Sequence, residues 1–273
     1  TAVIVRDARG LATQVTDPRG IVINMTYDNA GRLQAVSYPS STADNVTYTY
    51  DSTTGSSLGI GRLFKVIDGS GMTRRYYDAF GQIFNEKRTI SGIVYNLQYA
   101  YDAAGHLATM TYPSGRIVTY ARNALGQVTG VTTLKNATAA VDTVASTMSW
   151  EPMSSLLDKM THGNGMVTNT IYDLDYRLTG LRLKDGASFV SSLSYTYTDN
   201  LNLTAINDNV TAANSVSLWY DAARRLQNSI GPWGAATYYY TSVGDRSYEI
   251  TTPPGGATTT KIQNYPATSN RIA

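Results

Sequence analysis

The chain has 273 residues, a formal net charge of +2, only 15% charged residues and no cysteine. This excludes a disulfide framework, a zinc–thiolate site and a cysteine nucleophile, and it leaves no charge excess to draw in nucleic acid or an anionic membrane. With 21 Tyr, 23 Gly, 17 Asp against 3 Glu and 16 Arg against 6 Lys, the composition favours strands and turns over helices, since Glu and Lys form helices while Asp prefers turns.

One unit recurs along the chain: an aromatic residue, Asp, two variable residues, Gly, then Arg-Leu. A weak copy opens at Arg6-Asp7 and leads to Gly10-Leu11. The cleanest is Tyr27-Asp28-Asn29-Ala30-Gly31-Arg32-Leu33. Tyr50-Asp51 begins a copy with an expanded turn, which resumes at Gly61-Arg62-Leu63. Tyr77-Asp78-Ala79-Phe80-Gly81-Gln82-Ile83 and Tyr101-Asp102-Ala103-Ala104-Gly105-His106-Leu107 follow. Arg122-Asn123 leads to Gly126-Gln127-Val128, and Trp150-Glu151 to Leu156. Tyr172-Asp173 reaches Tyr176-Arg177-Leu178 without the Gly, and Tyr197 leads to Asn202-Leu203. Tyr220-Asp221-Ala222-Ala223-Arg224-Arg225-Leu226 keeps all but the Gly. Tyr240 leads to Gly244, and Tyr265 to Arg271-Ile272. Markers 20–28 residues apart give about twelve units over residues 1–273, read as a single array with no second kind of domain.

Before each marker the residues alternate, as in Val46-Thr47-Tyr48-Thr49-Tyr50 and Leu193-Ser194-Tyr195-Thr196-Tyr197. Period two is the pattern of a half-buried strand. Asp-x-x-Gly fits a tight turn: the Asp side chain accepts a bond from the backbone two residues on, and Gly takes a left-handed conformation. Arg32-Leu33-Gln34-Ala35-Val36 reads as the return strand, closed by a second breaker such as Tyr38-Pro39-Ser40 or Pro113-Ser114-Gly115. The predicted fold is all-β: tandem antiparallel hairpins pairing edge to edge, their tyrosines stacked in a common stripe, in a curved, spiralling sheet held by the sum over repeats. A parallel β-helix shares the period, but the hairpin turn inside each unit favours antiparallel pairing; a leucine-rich repeat lacks its Leu pattern here. Thr132–Thr147 reads as a long hairpin loop or short helix, Asn207–Ser215 as a polar connection, and Thr251–Thr260, with Pro253-Pro254-Gly255-Gly256, as a mobile loop.

These turns, with Gly71-Met72-Thr73-Arg74-Arg75-Tyr76-Tyr77-Asp78-Ala79-Phe80-Gly81, resemble the YD repeat of the RHS family. That family includes bacterial polymorphic toxins, B and C components of insecticidal toxin complexes, wall-associated proteins and teneurins. The resemblance implies hairpins wound in a spiral strip that forms a hollow β-shell. It implies a secreted or cell-surface bacterial structural protein, whose partners are the remainder of the shell and an enclosed toxin or effector polypeptide. It implies repeat-structural roles for Tyr27, Asp28, Gly31, Arg32, Leu33, Tyr77, Asp78, Gly81, Tyr101, Asp102, Gly105, Tyr172, Asp173, Tyr220 and Asp221. Family toxins end their core with an aspartyl self-cleavage segment built around Asp-Pro-x-Gly. Here Asp17-Pro18-Arg19-Gly20 lies near the start and reads as an inter-hairpin turn, and no plug or toxin domain is recognisable. Twelve repeats, fewer than family shells carry, and the missing initiator Met point to a segment of a larger shell or a small open variant.

No catalytic, metal or cofactor site is expected. His106 sits in the Arg slot of a repeat and His162 in a Thr-His-Gly-Asn-Gly turn, neither with a partner at ligand spacing. The Asp residues are phased one per turn, so turn formation outweighs a carboxylate pair for glycoside hydrolysis. Ser154-Ser155 and Ser191-Ser192 lack a nucleophile elbow, and Gly69 and Gly71 lack a following helix. No apolar run approaches the roughly 20 residues of a spanning helix, and Thr1 to Gly10 lack a secretory pattern. Trp219, Trp233 and Tyr239 form a candidate ligand surface, which would serve an adhesion module for cell-surface glycan or protein. Open sheet edges would allow self-association.

Overall fold

The computed structural model describes residues 2–152 and 154–265. Two compact units divide the chain, Thr1–Asp142 and Thr143–Ala273. The first runs β1 (Val3–Arg6), β2 (Ala12–Thr16), β3 (Val22–Tyr27), β4 (Leu33–Ser37), β5 (Val46–Tyr50), β6 (Leu63–Asp68), β7 (Gly71–Tyr77), β8 (Ile83–Ile90), β9 (Ile93–Tyr101), β10 (Leu107–Thr111), β11 (Ile117–Arg122) and β12 (Val128–Leu134). Each strand pairs antiparallel with the next. The second unit follows the same plan from β13 (Val141–Trp150), which begins just before the boundary, through β14 (Leu157–His162), β15 (Val167–Tyr172), β16 (Leu178–Asp185), β17 (Ser188–Tyr197), β18 (Leu203–Asp208), β19 (Val216–Tyr220), β20 (Leu226–Gly231), β21 (Gly234–Tyr240), β22 (Arg246–Thr252) and β23 (Thr259–Ile262). Its pairings are also antiparallel between chain neighbours.

The predicted all-β hairpin fold is therefore the observed one. The marker residues of the first eleven repeats end or flank the odd-numbered strands, so the Tyr-Asp turns of each unit share one margin and the Pro/Gly turns take the other. Asp17-Pro18-Arg19-Gly20 is the turn between β2 and β3, with Gly20 N–H donating to the Asp17 carbonyl at 2.9 Å. Three single turns of 3-10 helix, Thr42–Asp44, Thr54–Ser56 and Ala212–Asn214, are the helical elements among the described residues. The last of them lies in the polar connection expected there. Arg271-Ile272 of the final repeat lies outside the described residues.

Three readings differ from the structure. The Thr251–Thr260 loop is shorter than expected: β22 runs to Thr252 and β23 starts at Thr259, so only residues 253–258 turn. The Thr132–Thr147 stretch is neither a long loop nor a helix: β12 runs to Leu134, β13 starts at Val141, and only residues 135–140 turn. Its Thr and Val are β-branched and fit a pleated strand better than a helix. Asn136 makes the turn, its Oδ1 accepting from the Thr138 N–H and hydroxyl. Among the described residues, moreover, the ring pairs found do not join one marker tyrosine to another. The rings of Tyr50, Tyr77, Tyr197 and Tyr240 meet arginines instead.

Burial is thin. Among the described residues the buried apolar side chains are Tyr77, Ala145 and Ala236, and most strand positions are half-exposed. β5 shows the alternation plainly, with Val46, Tyr48 and Tyr50 half-buried and Thr47 and Thr49 exposed. Stability thus rests on backbone ladders and neighbour-to-neighbour side-chain contacts more than on one core. Several tips on the Tyr-Asp margin are apolar and largely exposed: Phe80 and Leu125 in the first unit, Leu174 and Val243 in the second.

Candidate functional site: the repeat turns and an aromatic face

Each Tyr-Asp turn is built on the Asp. Asp28 N–H donates to the Arg32 carbonyl at 2.9 Å and Gly31 N–H to the Asp28 carbonyl at 3.0 Å. Asp28 Oδ1 accepts from the N–H groups of Ala30 and Arg32, each at 2.9 Å, and Oδ2 accepts from Arg32 Nε at 2.7 Å. Asp7, Asp78, Asp102, Asp173 and Asp221 accept from the same two backbone positions. Asn123 substitutes for the carboxylate with the same pair of bonds. The strand register slips by one residue at each such turn, as between Thr26 and Tyr27, which marks a hairpin ending in a bulge.

The fourth turn position is left-handed whether or not it is Gly. Gly31, Gly81 and Gly105 have φ of 79°, 79° and 84°, while Tyr176, Leu201 and Arg224 in the same slot have 60°, 68° and 61°. The repeats that lack Gly therefore keep the turn at a conformational cost.

Arginine in the sixth slot ties the turn together and reaches the next repeat. Arg177 Nε and Arg225 Nε donate to Asp173 and Asp221 at 2.6 and 2.7 Å, as Arg32 does to Asp28. His106 takes the same place, its Nδ1 3.2 Å from Asp102 Oδ2. Arg32 continues to Asp51 of the next repeat, Nη1 donating to Oδ1 at 2.9 Å. Guanidinium groups also lie over the next marker rings: Arg32 over Tyr50 at 4.4 Å, Arg177 over Tyr197 at 5.8 Å and Arg225 over Tyr240 at 4.4 Å. His162, in its own turn, pairs Nε2 with Thr168 Oγ1 at 2.7 Å.

The marker tyrosines bond backward. Tyr27 OH donates to the Ala12 carbonyl at 2.8 Å, Tyr50 OH to Leu33 at 2.8 Å, Tyr77 OH to Leu63 at 2.6 Å and Tyr101 OH to Ile83 at 2.8 Å. Tyr172, Tyr197 and Tyr240 do likewise to Leu157, Leu178 and Leu226. For Tyr27, Tyr50, Tyr77, Tyr101, Tyr197 and Tyr240 the acceptor is the residue two past the left-handed position of the preceding repeat. At Arg122, where the marker is not aromatic, Nη2 reaches the corresponding Leu107 carbonyl at 3.2 Å.

The electrostatics follow from this geometry. The Arg32 N–H bond, ahead of the Arg32 side chain, holds the Asp28 carboxyl below the ordinary range. Asp102 and Asp173 are lowered in the same way by the N–H of His106 and Arg177. Asp51 is lowered to about 2, first by the Arg32 guanidinium and then by the Gly61 N–H. Burial pushes the Tyr50, Tyr77, Tyr101 and Tyr240 hydroxyls up. Every one of these acids is occupied within its own turn or with its neighbour's Arg. Among the described residues no group of three or more His, Asp or Glu could hold a metal ion, and no helix is long and apolar enough to cross a membrane.

The three candidate ligand-surface residues separate into two places. Trp219 in β19 and Tyr239 in β21 share a sheet face and are 47% and 37% exposed. Trp233 is 53% exposed but sits in the turn between β20 and β21, its ring so close over Gly231 that a Cβ there would lie 2.8 Å away. Tyr248, which sequence reading passed over, stacks on Tyr239 with centroids 4.1 Å apart. The tyrosine run at 238–240 hinted at an aromatic face, but the partner on β22 needs the strand register to be found.

A sequence model of the RHS repeat matches residues 6–43 and 101–138. None of the curated proteins matches the chain in sequence. Among solved structures, a crystal structure of TcdB2-TccC3-Cdc42 matches at TM-score 0.89 and 17% identity, over 99% of this chain and 16% of that one. TcdB2-TccC3 without its hypervariable C-terminal region gives 0.89 and 17%, over 100% and 16%. A mutant Photorhabdus luminescens Tc holotoxin pore gives 0.88 and 17%, over 100% and 16%. At such identity the likeness is one of fold, and the chain spans about 16% of those chains.

Proposed function

From the premise of an RHS/YD-repeat chain, we propose that the protein is a non-catalytic stretch of the wall of a secreted bacterial RHS-type shell, one array of hairpin repeats that encloses or scaffolds a toxin or effector polypeptide. The observation that carries this is the match of fold along nearly the whole chain to toxin complexes of much greater length. The turn chemistry supports it. The turn Asp, Arg and Tyr fix one repeat to the next, which suits a wall. Electron microscopy of the full-length parent, combined with protease treatment before and after denaturation, tests the reading. A closed shell that protects an internal polypeptide is expected. An open particle whose other segments are digested at once would overturn it.

A further inference from the structure

On the sheet face of β19–β22 that carries Trp219, we propose a binding site for a neutral oligosaccharide, a role separate from that of the wall. Antiparallel partners point to the same side of a sheet. The register sets Trp219 opposite Asn228, Asn228 opposite Thr237, and Tyr239 opposite Tyr248, so these five side chains share a face. Strand spacing and rise put the Trp219 and Tyr239 Cα atoms roughly 12 Å apart, a span that suits a chain of linked sugars better than a single ring.

The residue just before the marker explains why this face is unusual. In other repeats it is aliphatic or a small polar residue: Val5, Thr26, Thr49, Ala100, Ala121, Ser149, Ile171, Thr196 and Asn264. Tyr76 is an aromatic exception, and its ring is packed between Phe64 and Phe84. Trp219 and Tyr239 are successive exceptions left open to solvent. Tyr239 is held by the stack on Tyr248, with ring planes 15° apart, so its outer face is presented without further loss of side-chain freedom.

Beside Trp219 lies a groove of about 490 Å³, lined among others by Gln227, Asn228, Ile230, Ala235 and Thr237 and by no acidic or basic side chain. Thr237 Oγ1 donates to Asn228 Oδ1 at 2.8 Å, which fixes the end of the amide that carries its donors. Gln227 is the extra residue where the register slips, and a bulge re-aims the side chain it carries. An anion would need Arg or Lys in that lining. A wholly apolar ligand would bury amides and hydroxyls without partners. Aromatic faces flanked by uncharged amides and hydroxyls match a neutral sugar, which offers C–H faces for stacking and hydroxyls for the polar rim.

Cellohexaose, mannohexaose and chitohexaose, titrated into the chain with tryptophan fluorescence and calorimetry as readouts, test this, with a heparin hexasaccharide as the charged comparison. Saturable binding to at least one neutral probe is expected. Trp219→Thr and Tyr239→Thr, which install the residue that the same slot carries elsewhere, should each weaken it at least tenfold with an unchanged circular dichroism spectrum, while Trp233→Ala leaves it intact. No saturable response to any neutral probe, affinity preserved in Trp219→Thr, or binding confined to heparin would overturn the proposal.

Discussion

In the repeats that carry it, a single aspartate organises the turn. Its carboxylate satisfies two backbone N–H groups and holds an arginine whose far side meets the next repeat. The left-handed fourth position gives a direct test. Arg224→Gly and Tyr176→Gly should each raise stability by about 1 kcal/mol, since a non-Gly residue there costs roughly 1–2 kcal/mol before the entropy of Gly is counted; Gly31→Ala, with only Leu11 Cδ1 near, should lose a similar amount, all read from denaturant midpoints. Tyr27→Phe removes the hydroxyl bond to the Ala12 carbonyl and should cost about 1 kcal/mol. The acids set the pH response. The Arg32 guanidinium lowers Asp51 from an ordinary 3.8 to about 2, and the other turn acids are lowered in the same direction. A depressed carboxyl stabilises the fold fully above its unfolded value and stops doing so as pH falls through the folded value. The melting temperature should therefore fall as pH drops from about 4 toward 2, and Arg32→Met should flatten that slope.

At the scale of the hairpin, each element is fixed by contacts that cross from one repeat to the next. The expanded turn after Tyr50 illustrates this. Its Ser57 is almost fully buried, accepts the Tyr77 N–H at 3.0 Å on Oγ, and lies beside a Leu58 N–H to Tyr77 carbonyl bond of 2.8 Å. Ser57→Ala should leave that N–H without a partner and cost about 1–3 kcal/mol, with amide exchange accelerating at Tyr77 first. The hairpins, their antiparallel sense and the place of Asp and Gly were legible in the sequence, because a local turn needs only neighbouring residues to be read. The uses of Arg32 and of the tyrosine hydroxyls were not, because their partners lie a repeat away and no residue spacing names a backbone carbonyl. Tyr176 and Arg224 looked like degenerate copies, yet hydrogen bonds to Asp173 and Asp221 hold the turn against side-chain preference. The shared face of Trp219 and Tyr239 depended on registers that only the folded strands fix.

Across the whole molecule, each unit is a meander in which strands contact their chain neighbours and few side chains are deeply buried. Stability should then add up repeat by repeat, as in other linear arrays. Hydrogen exchange should be graded along each unit, slowest where long hairpins such as β16–β17 pair and fastest toward the terminal strands, and denaturant unfolding should be broader than one cooperative step. The apolar tips predict association of the isolated chain: light scattering should fall on combining Phe80→Asp, Leu125→Asp and Leu174→Asp. The meander has one more consequence, for the order in which structure can appear. Each strand's partner is the strand made just before it, so pairing within a unit does not wait for distant sequence, and the loop-closure entropy that slows most all-β proteins stays small. Such a chain can fold progressively while it is being synthesised, hairpin upon hairpin in the order of translation.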